Sequence, residues 1–200
     1  MYLQRPDVVA KACEILDTYG LADLTMRRLA RELGVTPGAL YWHFADKQEL
    51  LGAVADRLLA PVAVPGDENY ASDDWPVRLI TICTALRGAL LSSTDGAELV
   101  SATFAAGRSP ALQSIADALA AVAAESGLPD TEAQLAARTV IYYVLGFTVD
   151  EQSRLQWDAA GAGLPHARTT ECTSRDSVDR FVFGLQLFIG GLTAHTAITR

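Results

Sequence analysis

The sequence predicts an all-α fold, and three observations support this prediction. Apolar side chains recur at the three- and four-residue spacing of a helix along most of the chain. No stretch alternates convincingly between apolar and polar residues, as a half-exposed β-strand would. Half of the 200 residues are apolar and 20% are charged, which is typical of a folded chain with a sizeable core and excludes wholesale disorder.

The first 60 residues predict four helices joined by very short links, at about 5–19, 26–33, 37–42 and 46–59. Their bounds follow from residues with known positional preferences. Thr25 is a plausible N-cap, Asp46 starts the fourth helix, and Pro37 favours a first helical turn. Gly20 and Gly34 close the first two helices.

The larger second part of the chain continues the helical pattern. Further helices are predicted at about 75–92, 96–105, 110–126, 130–158 and 175–196. Residues 61–74 are rich in Pro, Gly and acidic side chains and predict a linker, whereas residues 159–174 predict a mobile loop. We therefore expect one domain at residues 1–60 and a second at residues 61–200.

The charge differs between these two parts. Residues 1–60 carry 7 basic and 8 acidic side chains, a net charge of −1, whereas residues 61–200 carry 9 and 16, a net charge of −7. This acidic balance argues against a protein that coats nucleic acid with its whole surface, although it permits a local basic face. Arg27, Arg28 and Arg31 cluster in the first part, so any contact with phosphate is expected there.

The sequence gives no support to an enzymatic, metal-binding or membrane function. It contains no G-x-S-x-G, H-E-x-x-H or glycine-rich phosphate loop. Residues 1–9 lack the apolar stretch of a signal peptide, and no run of about 18 apolar residues occurs. We therefore expect a cytoplasmic protein with no cofactor, no metal and no membrane partner. The histidines and cysteines are too dispersed for a zinc site, a catalytic set or a disulfide framework: His43, His166, His195, Cys13, Cys83 and Cys172.

Residues 24–47 have the spacing of a helix-turn-helix, in which the second helix enters the major groove of DNA. Gly34 suits the positive φ of the turn, and Ala30 suits the close crossing of the two helices. The side chains expected to hold these helices together are Leu29, Ala30, Leu33, Val35 and Leu40.

The residues of this motif that do not hold its two helices together suit contact with a DNA groove. Small residues at the start of the second helix let its backbone approach the base edges, while Arg27 and Lys47 are placed to contact phosphates. Aromatic side chains are usually buried, so an alternative assigns Tyr41, Trp42 and Phe44 to the core, and this alternative is strongest for Phe44. The residues expected at the DNA are Arg27, Thr36, Pro37, Gly38, Ala39, Tyr41, Trp42, His43 and Lys47.

Residues 24–51 resemble the DNA-binding head of the TetR family of bacterial transcriptional repressors. The resemblance is strongest in Gly-Val-Thr-Pro-Gly-Ala-Leu-Tyr-Trp-His-Phe at 34–44 and in Lys47. Residues 75–97, 145–152 and 181–192 extend the likeness to the tetracycline-repressor branch. The resemblance implies a homodimer that reads a palindromic operator in double-stranded DNA and holds a small-molecule effector.

The resemblance also sets expectations for specificity. Positions matching the nine residues above face DNA in the family, but Met26 and residues 37–39 differ from the tetracycline repressors, so a different operator sequence is expected. The three polar anchors that hold tetracycline and its metal ion correspond here to Ala63, Ile82 and Ala105. Each unpaired polar group of the drug would cost about 1–3 kcal/mol, so we expect neither tetracycline nor a metal to be required.

A largely apolar effector pocket is expected in the second domain. Each expected lining residue could instead belong to the ordinary core, and Arg138 could be an exposed edge or the partner of an acidic group. The expected lining residues are Ile82, Leu86, Phe104, Arg108, Ile115, Leu119, Arg138 and Tyr142.

The last two predicted helices are apolar over most of their circumference, so each requires more than one neighbour. A four-helix bundle of two helices from each subunit would bury them, and the resemblance points to the same interface. A two-fold dimer would place two recognition helices about 34–36 Å apart. Effector binding is expected to move the fourth helix and change the separation of the heads.

The sequence thus predicts a helix-turn-helix head of three helices followed by a larger helical domain for ligand binding and dimerisation. The predicted function is that of a ligand-responsive repressor released from its operator by an apolar effector. The alternative is a small-molecule-binding helical dimer without sequence-specific DNA binding.

Overall fold

The computed structural model of the chain describes residues 3–62, 74–159, 161 and 174–198. All regular secondary structure in these ranges is helical, which confirms the all-α prediction, and the predicted helix bounds agree within two residues. The third helix ends at Tyr41, so Trp42 caps it rather than continuing it. The helices are α1 (Arg5–Tyr19), α2 (Met26–Leu33), α3 (Pro37–Tyr41), α4 (Lys47–Leu59), α5 (Trp75–Leu91), α6 (Gly96–Ala106), α7 (Pro110–Ala124), α8 (Asp130–Ala159) and α9 (Ser174–Ile198).

Several sequence predictions fall outside the described residues. Most of the predicted linker at 61–74 and of the predicted loop at 159–174 lies there. So do Ala63, His166 and Cys172.

Local capping explains where the first helices begin and end. The Thr25 hydroxyl accepts a hydrogen bond from the backbone N–H of Arg28 at 3.2 Å. The Asp46 carboxylate accepts one from the backbone N–H of Glu49 at 2.7 Å. Gly34 has a φ of 67°, and its N–H closes α2 on carbonyls of the preceding turn. These short-range bonds satisfy backbone groups that a helix end leaves without partners.

One compact unit combines residues 3–62 with residues 88–113. Leu99 of α6 is fully buried in its core, and the Asp56 carboxylate of α4 accepts hydrogen bonds from the Ser109 hydroxyl at 2.6 Å and the Ala111 N–H at 3.1 Å. This grouping differs from the predicted division at residue 60, because α6 packs with α4 and with the core of the first helices. The fully or nearly fully buried residues of this core are Val8, Val9, Ala12, Ile15, Leu16, Leu24, Leu29, Ala30, Leu40, Phe44, Leu50, Val54 and Leu99.

The other unit contains residues 74–87, 114–159, 161 and 174–198 of the described chain. The ring of Tyr143 stacks on that of Phe181 with centroids 5.6 Å apart, and its hydroxyl donates a hydrogen bond to the Phe181 carbonyl at 2.9 Å. Arg87 of α5 pairs with Glu151 of α8, and the Ser177 hydroxyl of α9 donates to the same carboxylate at 2.7 Å. Aromatic packing and a buried ion pair therefore join three helices of this unit.

Helices α8 and α9 expose large apolar side chains. Phe183 and Leu187 on α9, and Leu135 and Tyr142 on α8, are each more than half exposed in the single chain. By length and composition alone, residues 176–198 are apolar enough to cross a membrane, with a mean hydropathy of 1.5. This criterion averages hydropathy over a window, and residues 176–198 contain no uninterrupted run of about 18 apolar residues, as expected. Core helices of soluble proteins meet the same criterion.

Candidate functional site

Helices α2 and α3 form the predicted helix-turn-helix. Leu29, Ala30 and Leu40 are buried between the helices of the head. The backbone N–H of Val35 donates to the Ala30 carbonyl at 3.0 Å, and Gly34 supplies the left-handed turn between them. The other two residues expected to hold the motif together, Leu33 and Val35, are partly buried against the same core, and one face of α3 is left toward solvent.

Helix α3 and the residues that flank it, 36 and 42–43, carry seven of the nine residues expected at DNA. Trp42 is 91% exposed and Tyr41 is 53% exposed, so the burial alternative is wrong for both. Phe44 and Leu40 are fully buried, as expected. Thr36, Pro37 and Gly38 are also exposed, whereas Ala39 and His43 are half-buried.

The basic residues around this face differ in their surroundings. Arg27 is exposed near the start of α2, and Lys47 is half-buried as the first residue of α4. Arg28 is engaged within the head, because its guanidinium pairs with Asp23 at 2.6 Å and lies 3.5 Å from the ring centroid of Tyr19. Tyr19 is half exposed, and its ring lies against this arginine.

Two residues that the sequence did not single out hold the segment after α3. The Arg5 guanidinium donates hydrogen bonds to the His43 carbonyl at 2.6 Å and to the Glu49 carboxylate at 2.8 Å, and lies 4.2 Å from the ring centroid of Phe44. The other carboxylate oxygen of Glu49 accepts from the Ala45 N–H at 2.7 Å. The hydrogen bond from the Ala45 N–H, and to a smaller extent the one from Arg5, lowers the pKa of Glu49. Because Arg5 lies 44 positions before Glu49, no local sequence signal joins them.

The residues expected to line an effector pocket fall into three groups. Arg138 and Tyr142 are exposed on α8, where the guanidinium donates a hydrogen bond to the phenol oxygen at 3.2 Å. Phe104 is half-buried and Arg108 is exposed. The remaining four are buried within the second unit: Ile82, Leu86, Ile115 and Leu119. Arg138 and Tyr142 therefore lie at the surface of the single chain, whereas these four apolar residues lie in its interior.

Other potential binding features are few in the described part of the chain. No group of three or more His, Cys, Asp or Glu side chains among those residues is arranged to hold a metal ion. Cys83 is fully buried, and burial raises the pKa of its thiol, which keeps it protonated. A surface groove of about 300 Å³ between α7 and α8 shares no residue with the expected pocket: it is lined by Asp117, Ala120, Ala121, Ala124, Asp130, Ala133 and Gln134.

Comparison with known proteins identifies the family. The family model "Bacterial regulatory proteins, tetR family" matches residues 8–54, and "Tetracyclin repressor-like, C-terminal domain" matches residues 67–196. The tetracycline repressor protein class C of Escherichia coli is 33% identical over 206 residues, covering 95% of this chain and 90% of the relative. The crystal structure of Mycobacterium smegmatis BioQ is 57% identical with a TM-score of 0.86, covering 97% and 99% of the two chains. A crystal structure of BioQ with its natural double-stranded DNA operator is 55% identical with a TM-score of 0.81, covering 97% and 100%. From its head to its last helix, this chain belongs to the tetR family of bacterial regulatory proteins.

Proposed function

We propose that this chain is a ligand-responsive repressor that binds a palindromic operator as a homodimer and is released by a small, largely apolar effector other than tetracycline. The observation that carries the DNA-binding part is the exposed face of α3. Trp42 is 91% exposed although Phe44, two residues later, is fully buried. BioQ has been crystallised with its double-stranded DNA operator, and its similarity to this chain over nearly the full length supports operator binding here.

The chemistry of α3 suits direct contact with a major groove. Pro37 and Gly38 present little side-chain bulk, so the start of the helix can approach base edges closely. The Thr36 and Tyr41 hydroxyls can bond to bases or phosphates, and aromatic carbon can contact thymine methyl groups. We assign Arg27 and Lys47 to phosphates on either side, and Ala39, Trp42 and His43 to the remaining contact surface.

Dimerisation accounts for the apolar surface of α8 and α9. Contiguous exposed apolar side chains on a soluble protein mark an interaction surface. Phe183 and Leu187 lie on one of these helices, and Leu135 lies on the other. Pairing the two helices with those of a second copy forms a four-helix bundle. The two-fold axis of that bundle would place the recognition helices about 34–36 Å apart.

The proposed effector is apolar because the buried residues expected around it are apolar. Ile82, Leu86, Ile115 and Leu119 offer no hydrogen-bonding side chain to a polar ligand. Ile82 stands where the resemblance places one polar anchor of tetracycline. We omit Arg138 and Tyr142 from the proposed lining, since both are exposed and bonded to each other.

Selection of duplexes from a random DNA library by the purified protein tests the DNA-binding proposal. Moderate salt suppresses loose binding to phosphates, so sequence-dependent contacts dominate the enrichment. We expect a palindrome with half-sites about one helical turn apart. If folded, dimeric protein enriches no sequence, the small-molecule-binding dimer without sequence-specific DNA binding becomes the better assignment.

Alanine variants of the exposed face are expected to lose operator affinity while keeping their fold. Tyr41→Ala and Arg27→Ala should each weaken binding about tenfold, because each removes a contact worth about 1–3 kcal/mol. Titration of labelled operator measures the affinity, while thermal unfolding and light scattering report stability and dimerisation. Arg154→Ala, which removes an exposed cation from α8, serves as the control and should bind like the wild type. A large fall in melting temperature for Tyr41→Ala would instead indicate a packing role.

Tetracycline with magnesium is expected to leave the protein on its operator. Apolar side chains at the positions of the drug's polar anchors would leave buried polar groups of the ligand unpaired. Operator release can be followed by fluorescence anisotropy, with the class C tetracycline repressor on its own operator as the positive control. Release of this chain at concentrations that release the control would contradict the proposed effector class.

A further inference from the structure

Residues 42–46 connect α3 to α4 and present part of the proposed DNA surface. Trp42 is almost fully exposed at the start of this segment, and Lys47 follows directly after it. Backbone N–H groups of His43 and Phe44 both donate to the Leu40 carbonyl, at 2.9 and 3.0 Å. These bonds attach the beginning of the segment to α3, so its course toward α4 depends on other contacts.

Two charged side chains bind the backbone of this segment. Arg5, the first residue of α1, donates to the His43 carbonyl, and Glu49 of α4 accepts from the Ala45 N–H. The two side chains also bond to each other, and the Arg5 guanidinium covers the ring of buried Phe44. The start of α1 and the first turn of α4 are thereby joined through the backbone of the segment.

We propose that Arg5 and Glu49 are positioning residues for operator binding, which fix the α3–α4 segment so that Trp42 and Lys47 meet the DNA in one register. This inference rests on the proposed function. The two side chains remain 48% and 33% exposed, and ion pairs at that exposure contribute little to global stability. Their bonds to the segment backbone nevertheless restrict the orientation of the groups that approach the duplex.

The direction in which operator affinity changes when the Glu49 carboxylate is removed distinguishes a positioning role from simple charge repulsion. Glu49 is an acidic residue two positions from Lys47, a proposed phosphate contact. If charge alone mattered, removing the carboxylate would reduce repulsion and tighten DNA binding. Positioning requires the opposite result, because the Ala45 N–H and the Arg5 guanidinium lose their shared acceptor.

The test measures operator affinity for the full-length variants Glu49→Ala, Glu49→Gln and Arg5→Met, with Glu14→Ala as the matched control. Glu14 is an exposed, ion-paired carboxylate of the same unit, bonded to Lys11 on α1. We expect Glu49→Ala and Arg5→Met to bind about tenfold more weakly, with the slope of log affinity against log salt unchanged. Glu49→Gln should recover part of the loss because its amide oxygen can still accept from Ala45. Glu14→Ala should bind as tightly as the wild type or slightly more tightly.

Each outcome either supports the positioning role of Arg5 and Glu49 or overturns it. A Glu49→Ala variant that binds as tightly as Glu14→Ala overturns the positioning role, provided that Tyr41→Ala still shows its loss. A salt slope reduced by about one in Arg5→Met would assign that arginine to a phosphate and also overturn it. If Glu49→Ala fails to fold, the operator affinity of Arg5→Met tests the positioning role instead. This variant is expected to fold because the methionine side chain can still cover the Phe44 ring. A wild-type protein that selects no operator overturns the proposed function and this inference together.

Discussion

Replacing Glu151 with alanine is expected to lower the free energy of unfolding by about 3–5 kcal/mol, because it leaves a buried arginine without its counter-charge. The side chains of Arg87 and Glu151 are 10% and 16% exposed. A guanidinium at that depth cannot regain its lost hydration. The expected loss is therefore much larger than for an ion pair on the surface.

The geometry of this pair explains the size of the effect. The Nε of Arg87 donates to one carboxylate oxygen of Glu151 at 2.9 Å, and an Nη donates to the other. This two-pronged arrangement is the strong form of the arginine–carboxylate interaction. The Ser177 hydroxyl also donates to the carboxylate, and the Arg87 guanidinium lies 5.3 Å from the ring centroid of Phe181. One carboxylate thus joins α5, α8 and α9.

Chemical denaturation of Glu151→Ala, Arg87→Met and the double variant at one fixed protein concentration measures the effect. A fixed concentration is needed because the stability of a dimer depends on it. We expect the double variant to lose less than the sum of the single variants, since no unpaired charge remains in it. Arg154→Met breaks the exposed Arg154–Asp150 pair on the same helix and should cost about 0.5 kcal/mol or less. Single variants no less stable than Arg154→Met would show that the Arg87–Glu151 pair is not desolvated.

The helix bounds of the head were predictable because their signals are local. Thr25 and Asp46 cap helices through bonds to residues three positions later, and Gly34 adopts a conformation that other residues rarely tolerate. Pro37 lies in the first turn of α3, where its missing N–H costs nothing. Each signal involves atoms within one helical turn, so one sequence is sufficient to read it.

Partners distant in sequence were not predictable in the same way. The periodicity of α6 indicates an apolar face but does not show that Leu99 joins the core of the head. Residues 150–152 supported the family resemblance, yet the hydrogen bond that Arg87 donates to Glu151 spans 64 positions. Arg138 and Tyr142 have helical spacing to each other, which is equally compatible with a pocket and with the exposed bond observed. Choosing between such arrangements requires the packing of the other helices.

The candidate DNA surface could be predicted only in part from the sequence. Leu40 and Phe44 are buried and Tyr41 and Trp42 are exposed, as expected from the sequence. Only the structure excluded the alternative that Tyr41 and Trp42 are buried, which the usual burial of aromatic side chains had left open. The contacts of Arg5 and Glu49 with the α3–α4 segment also came only from three-dimensional packing.

Gly52→Ala is expected to destabilise the head by about 1–3 kcal/mol, whereas Gly88→Ala should stabilise the protein by about 0.5–1 kcal/mol. A Cβ added at Gly52 would lie 2.2 Å from the carbonyl oxygen of Arg108 and 3.2 Å from its carbonyl carbon. Both are backbone atoms, so the added methyl group can be accommodated only by a shift of α4 or of the chain around residue 108. A Cβ at Gly88 meets nothing within 4 Å, and alanine is the better helix former.

The opposite signs of these two substitutions make the pair a controlled experiment on α4. Both exchange a helical glycine for alanine, so the difference in their unfolding free energies isolates the steric effect of close packing at Gly52. Lys47 lies on the same helix as Gly52, and a shift of α4 would also move this proposed phosphate contact. We therefore expect Gly52→Ala to lose operator affinity as well as stability, and Gly88→Ala to retain both. Equal stability of the two variants would mean that α4 can move away from residue 108 at no cost in unfolding free energy. If Gly52→Ala still bound the operator more weakly in that case, the position of α4 would control DNA binding independently of the stability of the head.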